Sequence, residues 1–273
     1  MIKNSRMNLL IHSTFQLLSE RSKWKQSFVR KVGSRDFRVW NRLLFRSADF
    51  AAKQGLLARP KETLKLTGIG EWMLTERGID QALHSTRVPV VRKQELPVVT
   101  YEVQQIKNKL EKAERLKSYI PVDTTKKSRT ITRESLLRTR GFRQAVIQAY
   151  DYRCCICGLK IASPDLLMWE VEAAHIVPHR FFGRDDIWNG IALCRFHHWS
   201  FDVGWFTLRH DFAIEVSEKL VSVPSDYGLM GSFDILRQGI KESQPIRLPQ
   251  RNALFPHENS ISWHRQNIFG PNG

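Results

Sequence analysis

The spacing of apolar residues over the first third of the chain predicts helices. Residues 8–20 and 36–54 carry apolar side chains three or four positions apart, the repeat that places them on one helical face. In the second range the repeat includes Trp40 and Leu44, and the helix is expected to end at Gly55. The beginning of the chain is therefore expected to be mostly helical.

A β-hairpin is predicted directly after these helices. Apolar and polar residues alternate over 63–67 and again over 71–75, and a glycine-rich stretch lies between them as a turn. A further helix is predicted from about Thr75, because Ile79 and Leu83 share one helical face.

The middle of the chain is predicted to be a charged helix followed by a hinge. Residues 101–119 carry apolar residues at near-helical spacing, and Pro121 ends the pattern. The basic stretch 123–129 predicts an exposed hinge, and a helical pattern resumes over 132–150. The domain boundary is predicted near 121–131.

Charge is distributed unevenly along the chain. Residues 1–140 carry 30 Lys and Arg against 13 Asp and Glu, a net charge of +17, whereas residues 141–273 carry 13 against 14, a net charge of −1. A basic half is typical of a module that holds DNA, and the alternative is a basic surface that only maintains solubility. We predict a DNA-binding domain over 1–100, a helical linker and hinge over 101–131, and a second domain over 132–273.

The composition indicates a globular protein. The chain has 273 residues, of which 42% are hydrophobic, enough for two modest domains with cores of their own. No apolar run approaches the roughly 20 residues that span a bilayer, and the N-terminus lacks the pattern of a secretory signal. A cytoplasmic location without a membrane partner is therefore expected.

One short stretch of the chain contains the ligand types and spacing of a structural zinc site. Zinc in such sites is held by four thiolate or imidazole ligands arranged as a tetrahedron. Cys154-x-x-Cys157 and Cys194-x-x-His197 would each supply two ligands, while Cys155 is expected to point away. The alternatives are a disulfide or simple buried thiols, and a reducing cytoplasm disfavours the disulfide.

A second set of residues, interleaved with the first, has the chemistry of a hydrolytic metal site. It comprises His175, Asn189, His198 and Asp202. Hydrolysis of a phosphodiester needs an activated water and stabilisation of charge on the phosphate, which a histidine base and a divalent metal provide. Each residue alone is more often structural, as a core histidine, a turn residue, a second zinc candidate or a surface acid. The combination at these spacings predicts a nuclease.

The segment that contains both sets resembles the HNH nuclease domain, also called the ββα-metal fold. Within that family it resembles the McrA-like branch of restriction endonucleases. The resemblance covers about half of the chain, and implies an α+β fold whose second domain is a zinc-stabilised ββα-metal domain. The matching segments are Gly141-Phe-Arg-Gln-Ala-Val-Ile-Gln-Ala-Tyr150, Cys154-Cys-Ile-Cys157-Gly158, Glu172-Ala-Ala-His175-Ile-Val-Pro178, Asp186-Ile-Trp-Asn189-Gly190, Leu193-Cys194-x-x-His197-His198 and Phe201-Asp202-x-Gly204-x-Phe206-Thr207. The chain after them, up to Leu248-Pro249 and Ser262-Trp263-His264-Arg265, also resembles the C-terminal part of such proteins.

The resemblance implies a role for each residue of the second set. His175 would be the general base that deprotonates the attacking water, and histidine suits this role because its pKa lies near neutral pH. Asn189 would orient that imidazole or hold the backbone of its loop. His198 would bind a single divalent metal, and Asp202 would supply a second ligand one helical turn later.

One position departs from the pattern of many HNH domains, in which the residue before the base also binds the metal. Here that residue is Ala174. Glu172, two positions earlier, shares a strand face with Ala174 but not with His175. Glu172 is therefore expected to reach the catalytic metal only if the strand bends or bulges, and the second and third ligands stay open.

The N-terminal domain resembles the winged-helix domain that precedes many restriction nucleases, through Gly55-Leu-Leu and Trp72-x-Leu-Thr-x-x-Gly78. The turn of its hairpin is longer than usual. A winged helix places one helix in the major groove and its wing on the DNA backbone. Candidate phosphate contacts, each of which is equally an ordinary solvated side chain, are Arg35, Arg38, Arg42, Arg46, Lys53, Arg59, Lys61 and Lys65.

Together these features predict a DNA endonuclease with an N-terminal DNA-binding domain and a C-terminal HNH nuclease domain. The expected substrate is double-stranded DNA, and the expected cofactors are a structural Zn²⁺ and a catalytic divalent metal such as Mg²⁺. Cutting of both strands would need a homodimer or two binding events. The expected role is restriction of foreign DNA in a prokaryotic cell, with dependence on a methylated base left open. The alternatives are a homing, phage or repair nuclease and a zinc-stabilised DNA-binding protein with a decayed site.

Overall fold

The computed structural model describes residues 44–86, 98–125, 132–164, 168–222 and 233–270. The chain divides into two compact units, Met1–Gln105 and Ile106–Gly273. Short helices accompany two-stranded antiparallel sheets in both units. The fold is therefore α+β, as predicted.

The described part of the N-terminal unit consists of helices and one strand pair. Its elements are helix α1 (44–53), strand β1 (Leu57–Ala58), helix α2 (Pro60–Thr67), strand β2 (Met73–Leu74) and helix α3 (Glu76–Thr86). Strands β1 and β2 are antiparallel. The helix predicted from Thr75 is confirmed as α3, because the Thr75 hydroxyl accepts a hydrogen bond from the Gly78 N–H at 3.0 Å and Ile79 and Leu83 are buried.

The strand predicted over 63–67 is wrong, because these residues belong to α2. Pro60 occupies the first helical turn, where its missing N–H costs nothing. The Glu62 carboxylate accepts a hydrogen bond from the Arg59 N–H at 2.6 Å, and Gly68 ends the helix in the left-handed conformation, with φ of 73°. These start and stop signals outweigh a short alternation, and β2 pairs with β1 instead.

Helix α4, Tyr101–Lys112, ends well before the predicted limit of 119. Two contacts within the C-terminal unit hold the following residues out of a helix. Arg115 donates to the Pro256 carbonyl at 2.9 Å, and His257 Nε2 donates to the Leu116 carbonyl at 3.0 Å. Tertiary hydrogen bonds thus override the local helical pattern.

Helix α5, Arg133–Ala149, confirms the helix predicted over 132–150. Thr132 caps it, since its hydroxyl accepts from the Ser135 N–H at 3.0 Å and the Ser135 hydroxyl accepts from the Thr132 N–H at 2.9 Å. Phe142 lies on the buried face of this helix.

The centre of the C-terminal unit is a strand pair followed by a helix. Strands β3 (Val171–His175) and β4 (Gly190–Cys194) pair antiparallel in an unbroken register, and every residue of β4 is buried. Helix α6 (Arg195–Asp202) follows β4 directly. This is the ββα arrangement that the sequence predicted.

The rest of the C-terminal unit packs around this centre. Its remaining strands and α-helices are β5 (Phe206–Leu208), which pairs with β6 (Ile214–Val216), then α7 (Glu218–Ser222), α8 (Asp234–Gly239) and α9 (Glu258–His264), which a π-helical turn (Arg265–Phe269) extends.

The last helix is anchored to α6 by a buried histidine. The His264 ring stacks on Phe201, with centroids 3.7 Å apart and planes 8° from parallel. Its Nδ1 accepts from the Thr207 hydroxyl at 2.9 Å, and its Nε2 donates to the Phe201 carbonyl at 3.2 Å. Burial lowers the pKa of His264 to about 3, so the ring is neutral and each nitrogen has a fixed role.

Some predictions fall outside the described residues. These are the helix over 8–20, the first part of the helix over 36–54, residues 126–131 of the hinge, and Arg35, Arg38 and Arg42. Within the described ranges, none of the helices combines the length and apolar composition needed to cross a bilayer.

Candidate functional site

The four residues predicted to bind zinc lie together. The ligand atoms of Cys154, Cys157, Cys194 and His197 are all within 4.8 Å of one another. Cys194 Sγ lies 3.0 Å and Cys154 Sγ 3.6 Å from His197 Nδ1, and Cys157 Sγ lies 4.0 Å from Cys194 Sγ. Ligands on a zinc tetrahedron are roughly 3.4–3.8 Å apart. No disulfide joins the four cysteines, and the set fits a zinc cage.

Neighbouring groups orient the side chains of this cage. His197 Nε2 donates to the Gly239 carbonyl at 3.0 Å, which leaves the Nδ1 lone pair directed at the thiols. The turn between Cys154 and Cys157 is closed by a hydrogen bond from the Gly158 N–H to the Cys154 carbonyl at 2.9 Å. Cys155 lies in the hydrophobic core, where burial raises the pKa of its thiol well above the usual value.

His175 is the last residue of β3, and a small residue across the sheet determines its surroundings. It pairs with Gly190, where an added Cβ would lie 2.4 Å from Val146 Cγ2 and 2.8 Å from Phe142 Cζ. Because Gly190 has no side chain, the Phe142 ring fits over the strand and stacks on the His175 imidazole, with centroids 4.0 Å apart. Helix α5 thus fixes the plane of this ring.

Asp185 and His179 contact His175, although neither was among the site residues predicted from the sequence. Asp185 Oδ1 lies 2.9 Å from His175 Nε2 and 2.7 Å from His179 Nε2, and the two Nε2 atoms are 3.0 Å apart. Burial lowers the pKa of His175, and the hydrogen bond to Asp185 offsets this only in part. Burial acts to raise the pKa of Asp185, but the hydrogen bonds to both histidines outweigh it, and the pKa stays below its usual value. Near neutral pH His175 is therefore neutral and Asp185 ionised.

Asn189 holds the loop between β3 and β4. Its Oδ1 accepts from the Val177 N–H at 2.8 Å, and its Nδ2 donates to the carbonyls of Val177 at 3.1 Å and Arg184 at 3.0 Å. The side chain is fully buried. Of the two roles that the sequence left open, the contacts favour support of the backbone.

His198 lies on α6 between two carboxylates. Its Nδ1 is 3.0 Å from Glu172 Oε2, and its Nε2 is 3.6 Å from Asp202 Oδ2. Burial acts to lower the pKa of His198, but Glu172 and Asp202 outweigh it and raise the pKa. The hydrogen bond with His198 lowers the pKa of Glu172, whereas burial raises that of Asp202. Glu172 and Asp202 thus contact different nitrogens of the His198 ring.

Glu172 approaches this site without any bend of the strand. Strand β3 keeps its regular register with β4 along its full length, so Glu172 reaches His198 from an unbulged strand, and its binding of a metal stays a prediction. Glu172 and Ala174 share the strand face next to α6, and the longer side chain spans the gap to His198. Arg195 Nε also donates to Glu172 Oε1 at 3.3 Å. Ala174 itself is fully buried and supplies no ligand atom.

The two halves of the candidate site lie within electrostatic range of each other. His198 contributes to the lowering of the His175 pKa. The sequence contained a signal for the missed pair, since His175-x-x-x-His179 is a common ligand spacing and Asp185 stands in an acidic pair before the asparagine. The contact of His179 and Asp185 with His175 depends on the conformation of the loop between β3 and β4. That conformation has no strand or α-helical repeat that the sequence pattern could show.

The described candidates for DNA contact lie in the N-terminal unit. Lys53 and Arg59 pair with the Asp49 carboxylate at 3.0 and 2.9 Å, so part of their charge is compensated. The exposed candidates are Arg46, Lys53, Lys61 and Lys65, and of these only Lys53 shares the Asp49 carboxylate. Contact of any of them with DNA stays a prediction.

Comparison with known proteins locates a family within the C-terminal unit. The model of the family described as HNH endonuclease matches residues 154–209, the range that holds the cysteine–histidine cage and both halves of the candidate site. A solved structure titled "Modification dependent TagI restriction endonuclease" is similar at 21% sequence identity, with a TM-score of 0.34. The similarity covers 46% of this chain and 37% of that chain, so it spans little more than a third of that protein's length. No curated protein matches the chain.

Proposed function

We propose that this chain, which carries an HNH endonuclease domain at residues 154–209, is a metal-dependent DNA endonuclease. The observation that carries the proposal is the placement of His175 and His198 on neighbouring elements of the ββα unit, each in contact with a carboxylate. One imidazole is suited to accept a proton, and the other is suited to bind a cation. A domain that only bound zinc would need neither arrangement.

His175 is the proposed general base. Its Nε2–H donates to Asp185, which leaves the lone pair on Nδ1 free to take a proton from the attacking water. The stacked Phe142 ring keeps the imidazole in one plane. Asp185 is a positioning residue, because it fixes the tautomer and does not itself contact the reacting atoms.

His198 and Asp202 are the proposed ligands of the catalytic cation. His198 Nε2 and Asp202 Oδ2 face each other across 3.6 Å, and an imidazole with a carboxylate suits several divalent metals. Glu172 occupies the other ring nitrogen and therefore orients His198 rather than serving as a ligand in this geometry. A divalent cation held there supplies Lewis-acid stabilisation of charge on the phosphate.

The basic N-terminal half is the proposed DNA-holding module. Residues 1–140 carry the whole positive excess of the chain, and its exposed cations would bind phosphates without reading sequence. We propose double-stranded DNA as the substrate and restriction of foreign DNA as the role, on the strength of the McrA-like text. Cutting of both strands would then need two copies of the chain or two binding events.

The test is cleavage of plasmid DNA, either unmethylated or methylated at adenine or cytosine, with Mg²⁺ or Mn²⁺ and with a chelator as control. His175→Ala should abolish cutting while DNA affinity and the unfolding midpoint stay near those of the parent. The matched control is His210→Ala, which removes an exposed histidine from the β5–β6 turn. Cutting of one methylated form alone would establish dependence on a modified base. If the parent cuts no form and His175→Ala changes nothing, the chain is a zinc-stabilised DNA-binding protein.

A further inference from the structure

The three atoms that meet at the end of β3 form a tighter cluster than hydrogen bonding accounts for. His175 Nε2, His179 Nε2 and Asp185 Oδ1 are separated by 2.7, 2.9 and 3.0 Å. Each imidazole nitrogen carries at most one hydrogen and an ionised carboxylate carries none, so at most two hydrogens serve three contacts. If both rings donate to Asp185, two N–H groups face each other. If one ring donates to the other, a lone pair faces the carboxylate.

A cation resolves this conflict, because all three atoms would then present lone pairs to one centre. We propose that His175, His179 and Asp185 bind a transition-metal ion, Zn²⁺ by preference, and that this ion inhibits cutting. The site is separate from both the cysteine cage and the His198–Asp202 pair. Among the described residues, this cluster and the cage are the two groups whose histidine, cysteine and acidic ligand atoms converge within 4.8 Å.

The donor set and its exposure fit zinc. Ligands about 2.0–2.1 Å from a tetrahedral zinc lie roughly 3.4 Å apart, so the three side chains need to open by only about half an ångström. Two imidazoles favour zinc and similar metals over Mg²⁺, which prefers oxygen ligands. The side chains of Asp185 and His175 are 8% and 15% exposed and that of His179 is 45% exposed, so an ion would enter from the His179 side. Three protein ligands leave one position open, as in zinc sites that bind exchangeable water.

The inhibitory effect follows from the tautomer of His175 and rests on the proposed function. As a base, His175 keeps its hydrogen on Nε2 and its lone pair on Nδ1. A metal on Nε2 displaces that hydrogen, and a neutral imidazole then carries its hydrogen on Nδ1. The atom that would accept the proton of water is thereby blocked, although nothing occupies the position of the substrate.

The binding part of the proposal is tested without any cleavage. The full chain is dialysed against buffered free Zn²⁺ over a range of concentrations, and bound zinc per chain is measured by atomic emission. His179→Gln should bind one zinc fewer than the parent at saturation, because Gln supplies no imidazole, and His210→Gln should bind the same number as the parent. Equal zinc content in the parent and His179→Gln would overturn the site. Circular dichroism spectra that match the parent exclude misfolding as the cause of a loss.

The inhibition part is tested by plasmid cleavage at fixed Mg²⁺ with increasing Zn²⁺, each variant being compared with its own rate in the absence of zinc. The parent should lose activity as the second zinc binds. His179→Gln should need at least about tenfold more zinc for the same fractional loss, the scale on which loss of a metal-supporting group weakens a site. Equal sensitivity of the two proteins would overturn the inhibitory role. A parent that cuts no DNA would refute the proposed function and the inhibitory role together, whereas the zinc count would still decide whether the site exists.

Discussion

Replacement of Asn189 by alanine separates a residue that supports the site from one that acts on substrate. The side chain is fully buried and makes three hydrogen bonds to backbone, one from the Val177 N–H and two to the carbonyls of Val177 and Arg184. Asn189→Ala removes all three and leaves their backbone partners without this side chain. The loop that carries His179 and Asp185 then loses the hydrogen bonds that hold its backbone in place.

The expected loss of stability follows from the number of hydrogen bonds that the substitution removes. Each hydrogen bond contributes about 1 kcal/mol to folding, and more where a buried partner stays unsatisfied, so Asn189→Ala should lower the free energy of unfolding by about 3 kcal/mol. With a urea dependence of roughly 2 kcal/mol per molar for a unit of this size, the midpoint should fall by about 1.5 M.

The assay is urea unfolding followed by circular dichroism, with plasmid cleavage measured on the same preparations. Cleavage should fall along with stability, because Asp185 loses its support. The matched control is Asn267→Ala, since the amide of that exposed asparagine donates to the Trp263 carbonyl alone among the described contacts, and a change within about 0.5 kcal/mol is expected. If Asn189→Ala unfolds at the parent's midpoint and yet fails to cut, the reasoning is refuted and Asn189 acts on the substrate or the base directly.

Three further outcomes are expected. Asp185→Asn should slow single-turnover cleavage by about 100-fold or more while DNA affinity stays unchanged, because an amide does not hold the His175 tautomer that general-base action requires; an unaltered rate would contradict the role of Asp185. Gly190→Ala should lower the free energy of unfolding measured in urea by about 1–3 kcal/mol, since the added Cβ would overlap with Val146 and Phe142. A stability equal to the parent's would show that α5 moves aside at no measurable energetic cost. Lys61→Ala with Lys65→Ala should reduce the salt dependence of DNA binding by about two charges, and an unchanged slope in salt titrations would remove this helix from the proposed interface.

The convergence of Cys154, Cys157, Cys194 and His197 could be predicted from the sequence because these residues come as two local pairs. A C-x-x-C turn and a C-x-x-H turn each bring two ligands together through a few backbone bonds, and strand β4 ends at Cys194, the point where the second pair begins. The local geometry of the two turns therefore determines most of the arrangement of these four side chains. The i and i+4 relation of His198 and Asp202 on α6 is equally local.

Other parts of the molecule depend on contacts that are distant in sequence. The segment 63–67 alternates like a strand, yet Pro60 and Gly68 set the limits of a helix, and those two residues were the better signal. Helix α4 ends early because Arg115 bonds to a carbonyl far along the chain. Asp185 and His179 meet His175 through an irregular loop, where neither a period of two nor one of 3.6 applies.

The anchoring of α6 by His264 has a consequence for the newly made protein. Phe201 stands directly before Asp202 on the proposed catalytic helix, and its ring is covered by a side chain about 60 residues later in the chain. At about 5–20 residues per second, a ribosome needs roughly 3–12 s to synthesise that interval. The cutting centre therefore lacks its last packing partner while translation continues, and the basic N-terminal unit has emerged long before. The order of synthesis therefore keeps the nascent chain from completing the packing of this helix until His264 has been made.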